Sequence, residues 1–384
     1  MDHRLSEDEI TLRELAARVA REKIAPVAAE LDEREEFPRR ILEEIGRAGL
    51  MGLTVPERYG GMGLGHLATC LVIEELSRAC AGVGVTYAAS ILGYGPILLF
   101  GTEEHKGTYL PSMCTGEGLG AFALTEPQAG SDAAAIRCTA VPRDGGYVIS
   151  GTKQWITNGG EASLYTIIAL TAPQRGPRGA SALIVPAGTP GLSYGRKEKK
   201  LGIRCSATRE LVFDECFVPA ANLLGREGQG FIIAMRNLNL GRPGVAAQAL
   251  GIAQAALDHS VRYSLEREQF GQPIGRFQAV GHMLADMATH IEAARSLVYA
   301  VARAIDSGDQ DFEREAAMAK TFASDTAMAA ATDAVQIFGG YGYMRDYPVE
   351  KLFRDAKITQ IYEGTNQVQR NIIAASLLKE AARR

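Results

Sequence analysis

The chain has 384 residues, 46% hydrophobic and 22% charged, with a formal net charge of −4. Its length exceeds one typical core, so two or three domains are expected, and its composition excludes the disordered class. Mild acidity argues against polyanion binding as the main role, and six scattered cysteines (Cys70, Cys80, Cys114, Cys138, Cys205, Cys216) without a Cys-x-x-Cys pair read as reduced core thiols, with no metal site.

Met1 to Arg13 is polar and acidic with no apolar h-region, and no uninterrupted apolar run is read as long enough to span a bilayer. A soluble, cytoplasmic protein is expected. From Ser6 to about Gly116 the pattern is mostly helical. Ser6 ahead of Glu7, Asp8 and Glu9 forms a capping box with acids in the first turn. Helices follow over Arg39–Ala48 and Leu67–Cys80. Between them, Gly60-Gly61-Met62-Gly63-Leu64-Gly65 follows no strand and lacks the G-x-G-x-x-G spacing, so it reads as a helix-to-helix connection.

From about Leu119 to Gly225, β-branched and aromatic runs alternate with turn residues. The runs are Tyr147–Ser150, Leu164–Leu170, Ala182–Val185 and Leu211–Phe213, separated by Asp144-Gly145-Gly146, Pro173–Gly179 and Gly188–Gly191. Short strands at this spacing predict a compact antiparallel barrel or sandwich. From Gly228 onward the chain is helical again. Phe277, Val280, Leu284, Met287, Ile291, Ala294, Val298, Val301 and Ile305 alternate spacings of three and four, a seam that Gly308 ends. An alanine-rich helix over Glu315–Phe338 suits close packing, and together these predict a helical bundle.

Three distant segments carry chemistry. In Phe122-Ala123-Leu124-Thr125, extended backbone can meet the edge of a planar heterocycle, and Gly130-Ser131 can approach a phosphate; the same residues also make an ordinary strand and turn. Trp155, the one tryptophan, precedes Ile156, Thr157 and Asn158; its indole can stack on a flat ring, or it can be plain core. The third is Ile361-Tyr362-Glu363-Gly364-Thr365-Asn366-Gln367, an acidic side chain beside a glycine. A carboxylate there is either a solvated surface acid or a desolvated base.

With these segments in order, the chain resembles the acyl-CoA dehydrogenase family over almost its whole length. The markers are residues 121–132 and 153–158, Lys-Leu-Gly-Ile-Arg-Cys-Ser-Ala-Thr (200–208), Arg-Glu-Gln-Phe-Gly (267–271), Gln-Ile-Phe-Gly-Gly-Tyr-Gly-Tyr (336–343), Arg-Asp-Ala-Lys-Ile (354–358) and Ile-Tyr-Glu-Gly-Thr (361–365). The resemblance implies a mainly α, α+β fold: an N-terminal helical domain (1–117), a central antiparallel β-barrel domain (118–226) and a C-terminal four-helix bundle (227–384). It implies FAD as cofactor, an acyl-CoA substrate, an electron-transferring flavoprotein as acceptor, and a homotetramer, with no nucleic acid or membrane partner.

Carried over by position, FAD would meet Phe122, Ala123, Leu124 and Thr125 at its pyrimidine side, Gly130 and Ser131 at the pyrophosphate, and Trp155, Ile156 and Thr157 at the ring face. Arg267, Phe270, Gln278, Gln336 and Gly340 match positions that complete the adenine end of a neighbouring subunit's FAD, and Thr365 and Gln367 match further contacts. Ser131, Asn239, Arg242 and Gly364 match the acyl-CoA site. Glu363 matches the base that removes the α-proton while the β-hydrogen leaves as hydride to flavin N5. Some branches place the base in the segment that here reads Leu238-Asn239-Leu240-Gly241-Arg242, where Gly241 offers no carboxylate. Val83 stands where decarboxylating relatives carry a carboxylate-binding arginine, which disfavours a terminal-carboxylate substrate. The acyl pocket is expected within Tyr87–Leu99 and near Asn239, for a short or branched-short chain. An acyl-CoA oxidase and a DNA-associated flavoprotein of the same fold are the alternatives.

Overall fold

The computed structural model describes residues 5–383; the first four residues of the polar N-terminal stretch, and Arg384, lie outside it. Helix α1 (Glu7–Val19) opens with the predicted box: Ser6 Oγ accepts from Glu9 N at 3.2 Å and Glu9 Oε2 accepts from Ser6 N at 2.7 Å. After it come α2 (Ala28–Arg34), α3 (Arg39–Arg47), α4 (His66–Ala79), α5 (Ala81–Phe100) and α6 (Glu103–Thr115). The glycine cluster is a connection into α4, and a Cβ on Gly61 would strike Val55 O, so it serves chain packing.

One expectation is corrected in α5. Its 20 residues carry no charge and include an 18-residue stretch with a mean hydropathy of 1.6, enough by length and composition to cross a bilayer. The helix is instead an interior one: it packs on α4 and on later strands and helices, with Tyr87, Tyr94 and Ile97 fully buried. An all-round apolar helix belongs at the centre of a large core as readily as in lipid.

Strands β1 (Gly120–Ala123), β2 (Thr139–Arg143), β3 (Gly146–Thr157), β4 (Leu164–Leu170), β5 (Ala180–Pro186), β6 (Leu192–Tyr194), β7 (Thr208–Pro219) and β8 (Leu223–Leu224) form one sheet. Its order is β6-β7-β3-β2-β4-β5-β8, with β1 also on β4. The antiparallel barrel is therefore corrected twice. The sheet is mixed, because β1 pairs parallel with β4 (Gly120↔Leu164 through Ala123↔Ile167), and it is open, with β6 and β8 at opposite ends. Residue alternation encodes which side chains face inward but not which strand lies alongside, or in which direction. The continuous apolar run of β4, buried at every position, marks a strand covered on both faces.

The remainder comprises α7 (Gly230–Glu266), a two-stranded hairpin β9 (Glu268–Gln269) and β10 (Gln272–Pro273), α8 (Gln278–Asp306), α9 (Glu313–Phe338), α10 (Val349–Thr359) and α11 (Asn366–Ala381). In α8, Met287, Ile291, Ala294, Val298 and Val301 of the predicted seam are buried, and Gly308 (φ +87°) follows its end. Ala316, Ala319, Ala323, Ala327, Ala330 and Ala334 line the buried side of α9 and let it lie close against α7. Helix α4 from the first region also packs on α7 and α8, so the long-helix cluster draws on both ends of the chain.

Candidate active site

The chain between α10 and α11 makes a strained turn. Thr365 caps α11, its Oγ1 accepting from Val368 N at 3.2 Å. Just before it, Glu363 (φ +52°) and Gly364 (φ +92°) are both left-handed, which glycine tolerates and glutamate adopts only when held. Gln369 Nε2 donates to Glu363 O at 3.2 Å and to Gly364 O at 3.1 Å, while Lys320 Nζ donates to Gly364 O at 2.9 Å. Tyr362 OH reaches Gln248 Oε1 on α7.

This turn brings Glu363 to a wall shared by two cavities. The smaller is lined mainly by apolar groups of α5 and α7, among them Ile91, Leu92, Leu98, Leu99 and Leu240. Several of these residues fall within Tyr87–Leu99, the segment expected to close an acyl pocket. The larger is bounded by the central strands, the Lys199–Ile203 loop and α10. Glu363 Oε2 is buried and has no hydrogen-bond partner. Loss of hydration pushes the Glu363 carboxyl up to about 7, against the opposing pull of the Lys320 and Arg242 charges. Gly241 lies against the same carboxylate: a Cβ there would stand 2.8 Å from Glu363 Oε2 and 3.0 Å from Leu92 Cδ1. Thus Gly241 does more than lack a rival carboxylate. It makes the space that Glu363 fills.

Of the positions expected to meet substrate, Ser131 and Gly364 line the larger cavity. Arg242 is buried, with Nε and Nη1 unpartnered and its pKa lowered by burial despite Glu313 and Glu363 nearby; Asn239 Oδ1 is also buried and unpartnered. Buried polar atoms without partners mark places where a ligand or water completes the bonding.

The opposite wall of the larger cavity carries Thr125, Gly130, Ser131, Trp155 and Thr157, with Thr365 beside Glu363. Trp155 is 59% exposed at φ +56°, on an irregularity between Lys153 and Ile156 where β3 loses register with β7. A bulge reverses which face a side chain takes, and here it turns the indole out of the core. The plain-core reading of Trp155 is thereby excluded. An exposed indole, three nearby hydroxyls and an unobstructed Gly130 suit a flat ligand bearing phosphate. Ala123, Leu124 and Ile156 are buried, and Phe122 packs against the core, so these have only backbone to offer.

The second expected group lies elsewhere. Arg267 and Gly340 line a separate cavity, where the Arg267 guanidinium sits 5.5 Å from the Tyr341 ring centre. Phe270, 94% exposed at φ +52°, occupies the β9–β10 turn, and Gln278 and Gln336 are exposed on α8 and α9. None of the five lines either cavity touched by Glu363, and Gln367 is exposed on α11.

Sequence reasoning missed several buried polar residues. Lys153 Nζ donates to Glu126 Oε1 at 2.7 Å and to Leu124 O at 2.9 Å, and Glu126 also accepts from Arg137 N at 2.6 Å and Cys138 N at 3.0 Å. This buried pair shapes the strand-and-turn segment that presents Thr125. Lys320 and Gln369 were missed as well. The available signal for Lys320 was a lysine amid the small residues Ala316, Ala319, Ala323 and Ser324 on a buried stripe.

Three family models match the chain: the acyl-CoA dehydrogenase N-terminal domain over residues 6–117, the middle domain over 121–216 and the C-terminal domain over 228–378. An acyl-CoA dehydrogenase of Bacillus subtilis (strain 168) is 53% identical over 375 residues, 97% of this chain and 99% of that one. Among solved structures, butyryl-CoA dehydrogenase from Megasphaera elsdenii superposes with a TM-score of 0.96 at 46% identity, covering 98% of this chain and 100% of the other. A chain from the structure of the electron transferring flavoprotein of Acidaminococcus fermentans gives 0.97 at 51%, covering 98% and 100%. An acyl-CoA dehydrogenase from Bacillus anthracis complexed with FAD gives 0.92 at 37%, covering 99% of this chain and 68% of that one.

Proposed function

As the chain belongs to the acyl-CoA dehydrogenase family, an oxidoreductase family, we propose that it converts a short acyl-CoA thioester to the trans-2-enoyl-CoA with Glu363 as the base. One observation carries the assignment: Glu363 is the carboxylate on the wall between an apolar chamber and a larger groove, and its Oε2 has no partner. An acyl chain in the chamber and a planar cofactor in the groove would meet at that oxygen. A carboxylate denied hydration is a stronger base, and a pKa near 7 matches the operating pH of a general base.

FAD is the cofactor of this reading, and when bound it supplies the acceptor for the β-hydride. Thr125, Gly130, Ser131, Trp155, Thr157 and Thr365 would hold it in the groove. Ser131, Asn239, Arg242 and Gly364 would meet the acyl-CoA. The apolar chamber excludes water from the α-carbon, and its ionisable lining is His66, paired to Asp306, Cys70 and Tyr94, both pushed up by burial, and Glu363. Among the described residues no arginine or lysine lines it to meet a terminal carboxylate, and Val83 is buried. The butyryl-CoA dehydrogenase similarity supports a short acyl group.

The reading extends to three regions, 1–117, 118–226 and 227–384 with a C-terminal four-helix bundle, supported by matches at 6–117, 121–216 and 228–378. It extends to a homotetramer, supported by the separation of Arg267, Phe270, Gln278, Gln336 and Gly340 from the Glu363 groove within one chain. It takes an electron-transferring flavoprotein as acceptor and the cytoplasm as location. Anaerobic bleaching of the flavin by a panel of acyl-CoA esters tests the activity and orders the substrates. Fast peroxide formation under air without another acceptor would make the protein an oxidase.

A further inference from the structure

We propose that Lys320 is a positioning residue for the base, acting with Gln369 to lock the Glu363–Gly364 turn in the left-handed geometry that aims the carboxylate at the shared wall of the two cavities. The inference rests on reading Glu363 as the base. Two consecutive left-handed residues, one of them not glycine, persist only where their surroundings over-determine them. Here both carbonyls of the pair are taken: Gln369 Nε2 reaches Glu363 O at 3.2 Å and Gly364 O at 3.1 Å, and Lys320 Nζ reaches Gly364 O at 2.9 Å. Lys320 Nζ also donates to Asn366 Oδ1 at 2.9 Å, and Asn366 Nδ2 donates to Ser324 Oγ at 2.9 Å and to Asp325 Oδ1 at 2.8 Å. The turn is thus fastened to α9 on one side and to the first turn of α11 on the other.

A neutral donor could hold one carbonyl. The choice of a lysine has a second consequence. Lys320 is fully buried, and among the described residues no carboxylate lies within ion-pair distance of it. Such a cation is costly to bury, and burial brings it down to about 8. The charges that face Glu363 are Lys320 from α9 and Arg242 from α7, with Tyr362 adjacent; those that face Lys320 are Glu363, Arg242 and Asp325. Its positive charge favours the ionised carboxylate, offsetting part of the desolvation that raises Glu363.

The test compares Lys320→Met with Gln369→Leu in the FAD-loaded protein. Amide hydrogen exchange over residues 361–365 is read by mass spectrometry, and the initial rate of anaerobic flavin bleaching by butyryl-CoA is read against pH. Both variants should exchange at least about tenfold faster in the turn. Only Lys320→Met should move the midpoint of the acid limb, upward by roughly one pH unit, because it alone removes a charge. Wild-type exchange and an unmoved midpoint in a folded Lys320→Met would overturn the proposal. Should Lys320→Met not fold, unchanged turn exchange in Gln369→Leu would overturn it equally. Glu363→Gln keeps the two readings apart. If that variant still bleaches at the wild-type rate, the base assignment falls, while the exchange measurements still decide the clamp.

Discussion

Glu126 and Glu363 are both withdrawn from water beside a buried lysine, yet their proton affinities move in opposite directions. At Glu126, burial would raise the pKa, but the Lys153 charge and hydrogen bonds from Lys153, Arg137 N and Cys138 N outweigh it and hold the carboxyl below its ordinary value. At Glu363, burial dominates and the carboxyl rises to about 7, because Lys320 spends its hydrogen bonds on Gly364 O and Asn366 Oδ1 instead of on the carboxylate. A lysine that touches the acid makes a structural pair, whereas a lysine that holds the backbone behind the acid leaves the carboxyl raised. Burial alone distinguishes neither.

The largest effect should come from removing the proposed base. Glu363→Gln is expected to retain FAD and lower the rate of flavin bleaching by up to about 10⁴-fold; a fall of less than tenfold would place the base elsewhere. Next comes the structural pair. Lys153→Met strands a buried carboxylate and should cost roughly 3–5 kcal/mol in unfolding free energy, measured by denaturant titration. If it proves neutral, the pair does not hold the Thr125 segment.

Stability against pH sharpens the contrast because the signs differ. Glu126, depressed in the folded state, contributes stability above its unfolded value near 4.5 that is lost as pH falls through its folded value. Glu363, raised in the folded state, favours folding only while protonated, and that contribution is lost as pH rises from about 4.5 through about 7. Glu363→Gln should therefore be more stable than wild type at pH 8 by about 1–3 kcal/mol, and the difference should vanish near pH 4. Bleaching by substrate has the opposite slope, rising about tenfold per pH unit up to about 7 and then levelling. The smallest effect is expected at Gly241. Gly241→Ala places a methyl 2.8 Å from Glu363 Oε2 and should slow bleaching roughly tenfold with FAD retained, through misplacement of the base.

Local features were legible because local forces set them. The Ser6–Glu9 box spans four residues, the α8 seam repeats along one helix, and the bounds of β4 follow a single buried run. The three motif segments were legible in the sequence, and the fold does bring Thr125, Ser131, Trp155, Thr157 and Glu363 to one groove. What failed was long-range. The parallel pairing of β1 with β4 joins residues 44 apart in sequence (Gly120↔Leu164), and no alternation of side chains specifies it. The interior course of α5 was equally hidden, since an uncharged helix reads the same whatever encloses it.

Taken alone, the sequence marked the helix–strand–helix order of the chain, the segments that carry the family resemblance, and the absence of a carboxylate at Gly241. Tertiary structure alone decided what kind of acid Glu363 is. Its pKa depends on a lysine 43 positions upstream that bonds the backbone and leaves Oε2 unpartnered. Desolvation and charge act through space, and folding sets those distances.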